Sequence, residues 1–416
     1  MRYIAVGCLL CMVVLSACRG QFFPEARNPS EYKLISVVGL DRSEKTKEDV
    51  ALTLSAKEQS DSKLGGGQSG GGGQAGDRPL LLTNEARSAA RAYNEMQSYT
   101  QDYLFLGHVR YFLIGEQAAR GGIERYLDFL RRDPDSRYLA RLYVVEEKTA
   151  REMMTKASTN ANYIADRLNA MEADVGVLSS SHALNLAQVA GKLEGSHGHM
   201  LLPLIRMTSP SDHDAAVAPQ KGKNDGKPED KEAAPEGPDG MTMEMDIAGY
   251  AIVINGRMAG TIGPGLSPAV NFLQNTVNSQ IVEVKAGDGQ TAALRVLSSR
   301  SRVKPHWDGD GLAGLDIVVH IEAALNENQS DLAVTSAGKA RPLAGQLEDW
   351  AETRIADVLS QAQRLGVDYL GLGDRIGKKH PIRFDRLADD WDHVFSELPI
   401  AVQADASIIR TYEINS

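Results

Sequence analysis

No cysteine follows residue 18. The three that exist, Cys8, Cys11 and Cys18, all fall within the opening stretch MRYIAVGCLLCMVVLSACRG, so the rest of the chain has no disulfide framework. Its folded parts depend on hydrophobic cores, and 416 residues of which 42% are hydrophobic suffice for two or three domains. Long apolar runs are also missing. The opening run, Tyr3 to Leu15, meets polar sequence well short of the roughly 20 residues that a bilayer-spanning helix needs. Cations are in deficit: 45 Lys and Arg stand against 55 Asp and Glu, a net charge of −10. With no basic run interleaved with aromatics, this balance argues against nucleic acid as a partner and leaves anionic headgroups repelled on average.

Catalytic motifs are absent too. The chain contains no G-x-S-x-G and no P-loop, because neither glycine-rich stretch ends in Gly-Lys-Ser/Thr. The carboxylate pairs Glu146-Glu147 and Asp389-Asp390 are adjacent in sequence, which suits solvation better than facing walls of a cleft. GLGDRIG (Gly371 to Gly377) satisfies G-x-G-x-x-G, yet an amphipathic helix precedes it and Pro381 follows, so it reads as a structural turn. DGDG (Asp308 to Gly311) starts like a calcium loop, but Leu312 and Ala313 stand where a ligand and a glycine belong; a strand-joining turn fits better. His197 and His199, with His182 as a third, lack the partners of a metal site and read as solvated. No catalytic residue, no metal and no cofactor beyond a covalent lipid is expected, and the chain reads as a non-enzyme.

What is present begins at the amino terminus. One positive charge, a short apolar run and small residues lead into Cys18, and Leu15-Ser16-Ala17-Cys18 resembles the bacterial lipobox. Cleavage would remove residues 1–17 as a signal peptide and leave Cys18 carrying diacylglycerol. An ordinary secretory signal with a chance cysteine is the alternative. Each buried methylene contributes on the order of 0.8 kcal/mol, so one acyl chain holds a protein marginally and two or three hold it firmly.

Two segments carry too little apolar side chain to offset ordering. LGGGQSGGGGQAGDRP (64–79) reads as a flexible loop, and the stretch from Ser209 to Gly240 as a linker or exposed insertion. The expected division is therefore a domain over 18–207, a linker or insertion over 208–240 and a second domain over 241–416. YKLISVVGLD and DVALTLSAK suggest a hairpin. TNEARSAARAYNEMQSYT places Ala86, Ala89, Ala90, Tyr93 and Met96 on one helical stripe, with Thr83 or Asn84 as N-cap. Strands at HVRYFLIG and RYLARLYVVE alternate with helices at EQAARGGIERYLDFLRRD and EKTAREMMTKA. In the second half Asn255-Gly256 suits a tight hairpin turn. Strands follow at SQIVEVK, TAALRVLSSRSRVKPHW and LDIVVHIEAALNE. Apolar residues from Leu343 to Leu365 then recur at helical spacing, closed by Gly366. The fold class is mixed α/β (α+β), with two or more sheet-plus-helix domains in a lipid-anchored ectodomain.

The order of these segments resembles the Ger(x)C lipoproteins, the C subunits of spore germinant receptors. After the lipobox cysteine, YKLISVVGLD looks like the family's first strand, ending in a turn at Gly39-Leu40-Asp41. EARSAARAYNEMQSYTQDYLFLGHVRYFLIGE resembles its helix leading to Gly107-His108 and a strand ending at Ile114-Gly115-Glu116. AQRLGVDYLGLGDRIGKKHP and WDHVFSELPIAVQADASIIRTYEI resemble its C-terminal helix, Asp368 turn and last strand. RGQFFPEARNPSE after the cysteine departs from the family's usual Trp-x-x-x-Glu pattern, and both low-complexity segments look like insertions. The resemblance implies a non-enzymatic subunit, tethered to the spore inner membrane, facing outside the cytoplasm and working with integral membrane A and B subunits. It points to Gly107, His108 and Gly115 as a docking surface or a fold-required turn. A solute-binding lipoprotein of a transport system is the rival from another class.

Overall fold

The computed structural model describes residues 31–58, 78–157, 163–178, 181–195, 198–208, 244–277, 279–286, 289–329 and 340–411. Cys18 and the expected signal peptide, residues 64–77 of the glycine-rich stretch, His197 and residues 209–243 lie outside them.

Among the described residues the first sheet has nine strands. These are β1 (Tyr32–Arg42), β2 (Val50–Glu58), β3 (Arg78–Ala86), β4 (Tyr103–Phe105), β5 (Tyr111–Gly115), β6 (Arg141–Val145), β7 (Met200–Thr208), β8 (Glu244–Ile254) and β9 (Arg257–Ile262). Their spatial order is β3-β2-β1-β5-β6-β7-β8-β9, with β4 beside β1. β1, β5, β6 and β7 are mutually parallel, whereas β2-β3 on one side and β8-β9 on the other are antiparallel. The parallel strands are buried on both faces, as their near-continuous apolar sequence requires.

The helices of this part are α1 (Ala89–Tyr99), α2 (Glu116–Gly121), α3 (Glu124–Arg132), α4 (Ala150–Ala157), α5 (Ile164–Leu178) and α6 (Leu186–Gly195). Met96, Ala119, Tyr126, Leu127 and Val189 from α1, α2, α3 and α6 join Leu40, Leu52 and Phe112 in one core. Met153, Met154, Ile164 and Leu168 from α4 and α5 pack with Val37, Leu113 and Tyr143 on the opposite face. Leu113 lies between Phe112 and Ile114 and points the other way, the period-two alternation of a strand.

Two sequence expectations change here. Thr83 and Asn84 lie in β3, paired with Thr53 and Leu52, and the cap of α1 is Ser88, whose Oγ accepts from the Arg91 N–H. The run RPLLLTNEA satisfies the free edge of β2, so the helix starts later. Its buried stripe is Ala89, Ala92, Tyr93 and Met96. Gly39-Leu40-Asp41 is the interior of β1, not a turn; the chain reverses after it, where Ser43 N–H donates to Asp49 O at 3.1 Å. The first sheet includes strands from both sides of the polar segment: β8 pairs with β7 from Thr208↔Glu244 to Met200↔Val253, and Ile262 ends the last strand. Residues 209–243 therefore connect neighbouring strands of one sheet. Composition marks where chain cannot pack, and strand pairing decides where a sheet stops.

The second sheet, β10 (Gln280–Lys285), β11 (Thr291–Asp308), β12 (Gly311–Asn328) and β13 (Ile400–Thr411), runs in that order, with β13 parallel to β12. Asp308 to Gly311 is the β11-β12 turn, as expected. The remaining helices are α7 (Ser267–Gln274), α8 (Arg341–Leu365), α9 (Leu372–Lys379), α10 (Pro381–Asp385) and α11 (Trp391–Glu397). α8 lays Leu343, Leu347, Ala351, Ile355, Val358 and Ala362 on the sheet and ends at Gly366 with φ 68°. Leu201, Tyr250, Ile252 and Ile262 of the first sheet belong to this same core, so the two sheets share apolar contact.

Candidate functional site

Four chain segments meet at the carboxyl ends of the parallel strands, the edge at which open α/β sheets present ligand sites. β1 delivers Asp41, β5 ends at Gly115, β6 leads into Glu147, and Thr149 opens α4. Together they line an open cleft of about 480 Å³ whose rim carries Arg42, Lys47, Glu116, Lys148 and Glu152. Asp41 is 3% exposed. Its Oδ1 accepts from the Ala150 N–H at 2.7 Å and its Oδ2 from the Arg151 N–H at 2.9 Å, so a strand carboxylate closes the open end of a helix. Burial nevertheless outweighs these bonds and raises the Asp41 carboxyl to about 6. Thr149 completes the helix start by accepting from the Glu152 N–H at 3.0 Å.

Gly115 makes this contact possible. A Cβ on Gly115 would lie 2.1 Å from Asp41 Oδ1, closer than atoms can approach. Gly107 is also tightly placed, since a Cβ there would meet the half-buried Phe105 ring and lie 3.1 Å from the Asp135 carbonyl oxygen. Gly107 and exposed His108 form a 3-10 turn before the amino end of β5, whereas Gly115 ends that strand. The strand separates them by roughly 13 Å at about 3.3 Å per residue. The three residues named from sequence do not share one site. Gly115 belongs with Asp41, a pairing whose sequence signal, strand-end Asp and strand-end Gly, is too small to read without topology.

A second polar cluster joins the two sheets. His199 is buried, contrary to the solvated loop expected of it, with Nε2 3.0 Å from Asp392 Oδ2 and Nδ1 accepting from the Asn255 N–H at 3.3 Å. Asp392 Oδ1 accepts from the Asp368 N–H at 3.1 Å. Asp368 Oδ2 in turn accepts from the Gly373 N–H at 2.7 Å and Trp391 Nε1 at 2.9 Å, while burial pushes its carboxyl upward. GLGDRIG thus opens a helix, α9, where a turn was expected, and the chain's own carboxylate occupies the place a pyrophosphate takes in dinucleotide loops. Asp389 and Asp390 are exposed, Glu147 is exposed and Glu146 half-buried. Among the described residues, no group of three or more His, Cys, Asp or Glu is arranged to hold a metal ion.

Two family descriptions match the chain in order. "Spore germination protein N-terminal domain" matches residues 25–207 and "Spore germination B3/GerAC like, C-terminal" matches residues 248–412. The chain belongs to the Ger(x)C family of spore germination proteins. Within this family it is similar to spore germination protein KC of Bacillus subtilis (strain 168), 23% identical over 418 residues, covering 98% of this chain and 95% of that one. It is also similar to the putative spore germination protein YfkR of the same organism, 21% identical over 343 residues, covering 82% of this chain and 81% of that one. The crystal structure of the GerBC protein shares the fold at a TM-score of 0.52 and 15% identity, covering 90% of this chain and 97% of that chain. The mixed α/β class read from the Ger(x)C sequence is the class observed. Among the described residues, no helix is long and apolar enough to cross a membrane.

Proposed function

We propose that this Ger(x)C chain is the lipid-anchored C subunit of a spore germinant receptor, a non-enzymatic scaffold held by diacylglycerol on Cys18 at the outer side of the spore inner membrane. There it docks on integral membrane A and B subunits and helps nutrient binding trigger germination. The ordered match of two spore germination domains across residues 25–207 and 248–412 carries this reading. The shared core supports a scaffold over a hinged solute binder. Closing around a solute needs separable lobes, and here Leu201, Tyr250, Ile252 and Ile262 are buried with residues of the second sheet.

Cys18→Ala tests the anchor. The variant is expected to lose metabolic lipid label, to leave the membrane fraction and to slow nutrient germination of the spores that carry it. Full membrane retention with lipid label intact would defeat the proposal, and release without any germination defect would defeat its functional half.

A further inference from the structure

At the opposite edge of the first sheet, the amino ends of β5 and β6 border a separate cleft of about 490 Å³ lined by Arg110, Arg137, Arg141, Asn185 and Gln188. Its walls are built by backbone pairing: Leu142 N–H donates to Leu184 O, Leu186 N–H to Ala140 O and Ala187 N–H to Tyr138 O, at 2.9, 2.9 and 3.1 Å. Asn185 and Gln188 cap α6 reciprocally. Gln188 N–H donates to Asn185 Oδ1 and Asn185 N–H to Gln188 Oε1, both at 2.9 Å. Backbone donors fix which side-chain atoms accept, so both amide NH2 groups are left over as donors.

The charges divide in the same sense. Glu172 is satisfied by Arg141 and by the hydroxyls of Tyr111 and Tyr143, at 2.9 and 2.7 Å from them, and Arg110 faces Asp166 at 3.4 Å. Arg137 is exposed and makes no ion pair among the described residues. The cleft's carboxylate is neutralised, and the Asn185 and Gln188 amide donors and one uncompensated guanidinium remain, beside the Asn169 amide and the His182 imidazole. Leu139, 66% exposed, adds an apolar wall. We propose that this cleft binds a small organic oxyanion, a carboxylate or a phosphate ester, on Arg137 and the amide groups of Asn185 and Gln188. A guanidinium fork with two neighbouring amides matches either group, and Leu139 meets the carbon body.

Equilibrium dialysis of the full chain in detergent micelles at low salt, with labelled inorganic phosphate in one arm and labelled butanoate in the other, tests the site. Saturable uptake at one site per chain is expected in at least one arm, and the arm that retains label identifies the charged group. Arg137→Gln should weaken it at least tenfold. Gln188→Glu should do the same while keeping an acceptor for the Asn185 N–H, so its helix content should stay that of the wild type. Arg302→Gln, at an exposed position of β11 in the other sheet, should bind as the wild type does. No saturable uptake in either arm, undiminished uptake in either cleft variant, or equal loss in Arg302→Gln would overturn the proposal.

Discussion

Asp41 brings two carboxylate oxygens into a nearly buried place at the floor of the cleft, and its behaviour follows from the balance of burial against two helix N–H donors. Its carboxyl rises from the ordinary 3.8 to about 6. A group with a folded value above its unfolded one binds its proton more tightly in the folded state. The stability this adds is complete below about pH 4 and is lost as pH rises through about 6, a change of about 3 kcal/mol. Asp41→Asn removes the titration. Urea unfolding of both proteins should show the wild type losing about 3 kcal/mol relative to the variant between pH 3 and 8; a constant difference would show that Asp41 does not titrate there. None of this is legible in the sequence, where the family resemblance puts Asp41 in a turn. Gly115, singled out by resemblance alone, owes its identity to the same carboxylate.

At the scale of elements, periodicity was a good guide wherever one face of an element meets a core. The β1-β2 hairpin, the β8-β9 turn at Asn255-Gly256 with φ of 50° and 69°, and α8 with its glycine cap all stand where the pattern put them. It failed where pairing competed with a plausible helix start, as at Thr83 and Asn84. Edges show another limit. β13 is the last strand of its sheet, and the Ala404 and Ala406 N–H groups find Glu352 Oε1 at 2.8 Å and Glu348 Oε1 at 2.9 Å on α8. These carboxylates close an edge otherwise open to strand addition by another chain. Glu352→Ala should cost about 1–2 kcal/mol and make the protein associate with rising concentration, checked by denaturation and sedimentation velocity. A monomer of unchanged stability would show that the edge is guarded by other means.

For the whole molecule, the division of the chain by composition and the division by sheets differ. β7 and β8, the strands on either side of residues 209–243, are neighbours in register. Replacing Ser211 to Asp239 with a short glycine-serine turn should leave the free energy of unfolding within about 1 kcal/mol of the wild type, since loop length enters closure only logarithmically. A large loss, measured in guanidinium, would show that the segment contributes packing. By itself, the sequence determined the mixed α/β class, the family, most strands and helices and the order in which they come, because local periodicity and turn chemistry act over neighbouring residues. Tertiary structure alone decided that β8 and β9 complete the first sheet, that Asp41 meets Gly115 and Ala150, and that His199 is buried against Asp392. These contacts join residues up to 193 positions apart, and chain topology, not local pattern, sets which of them meet.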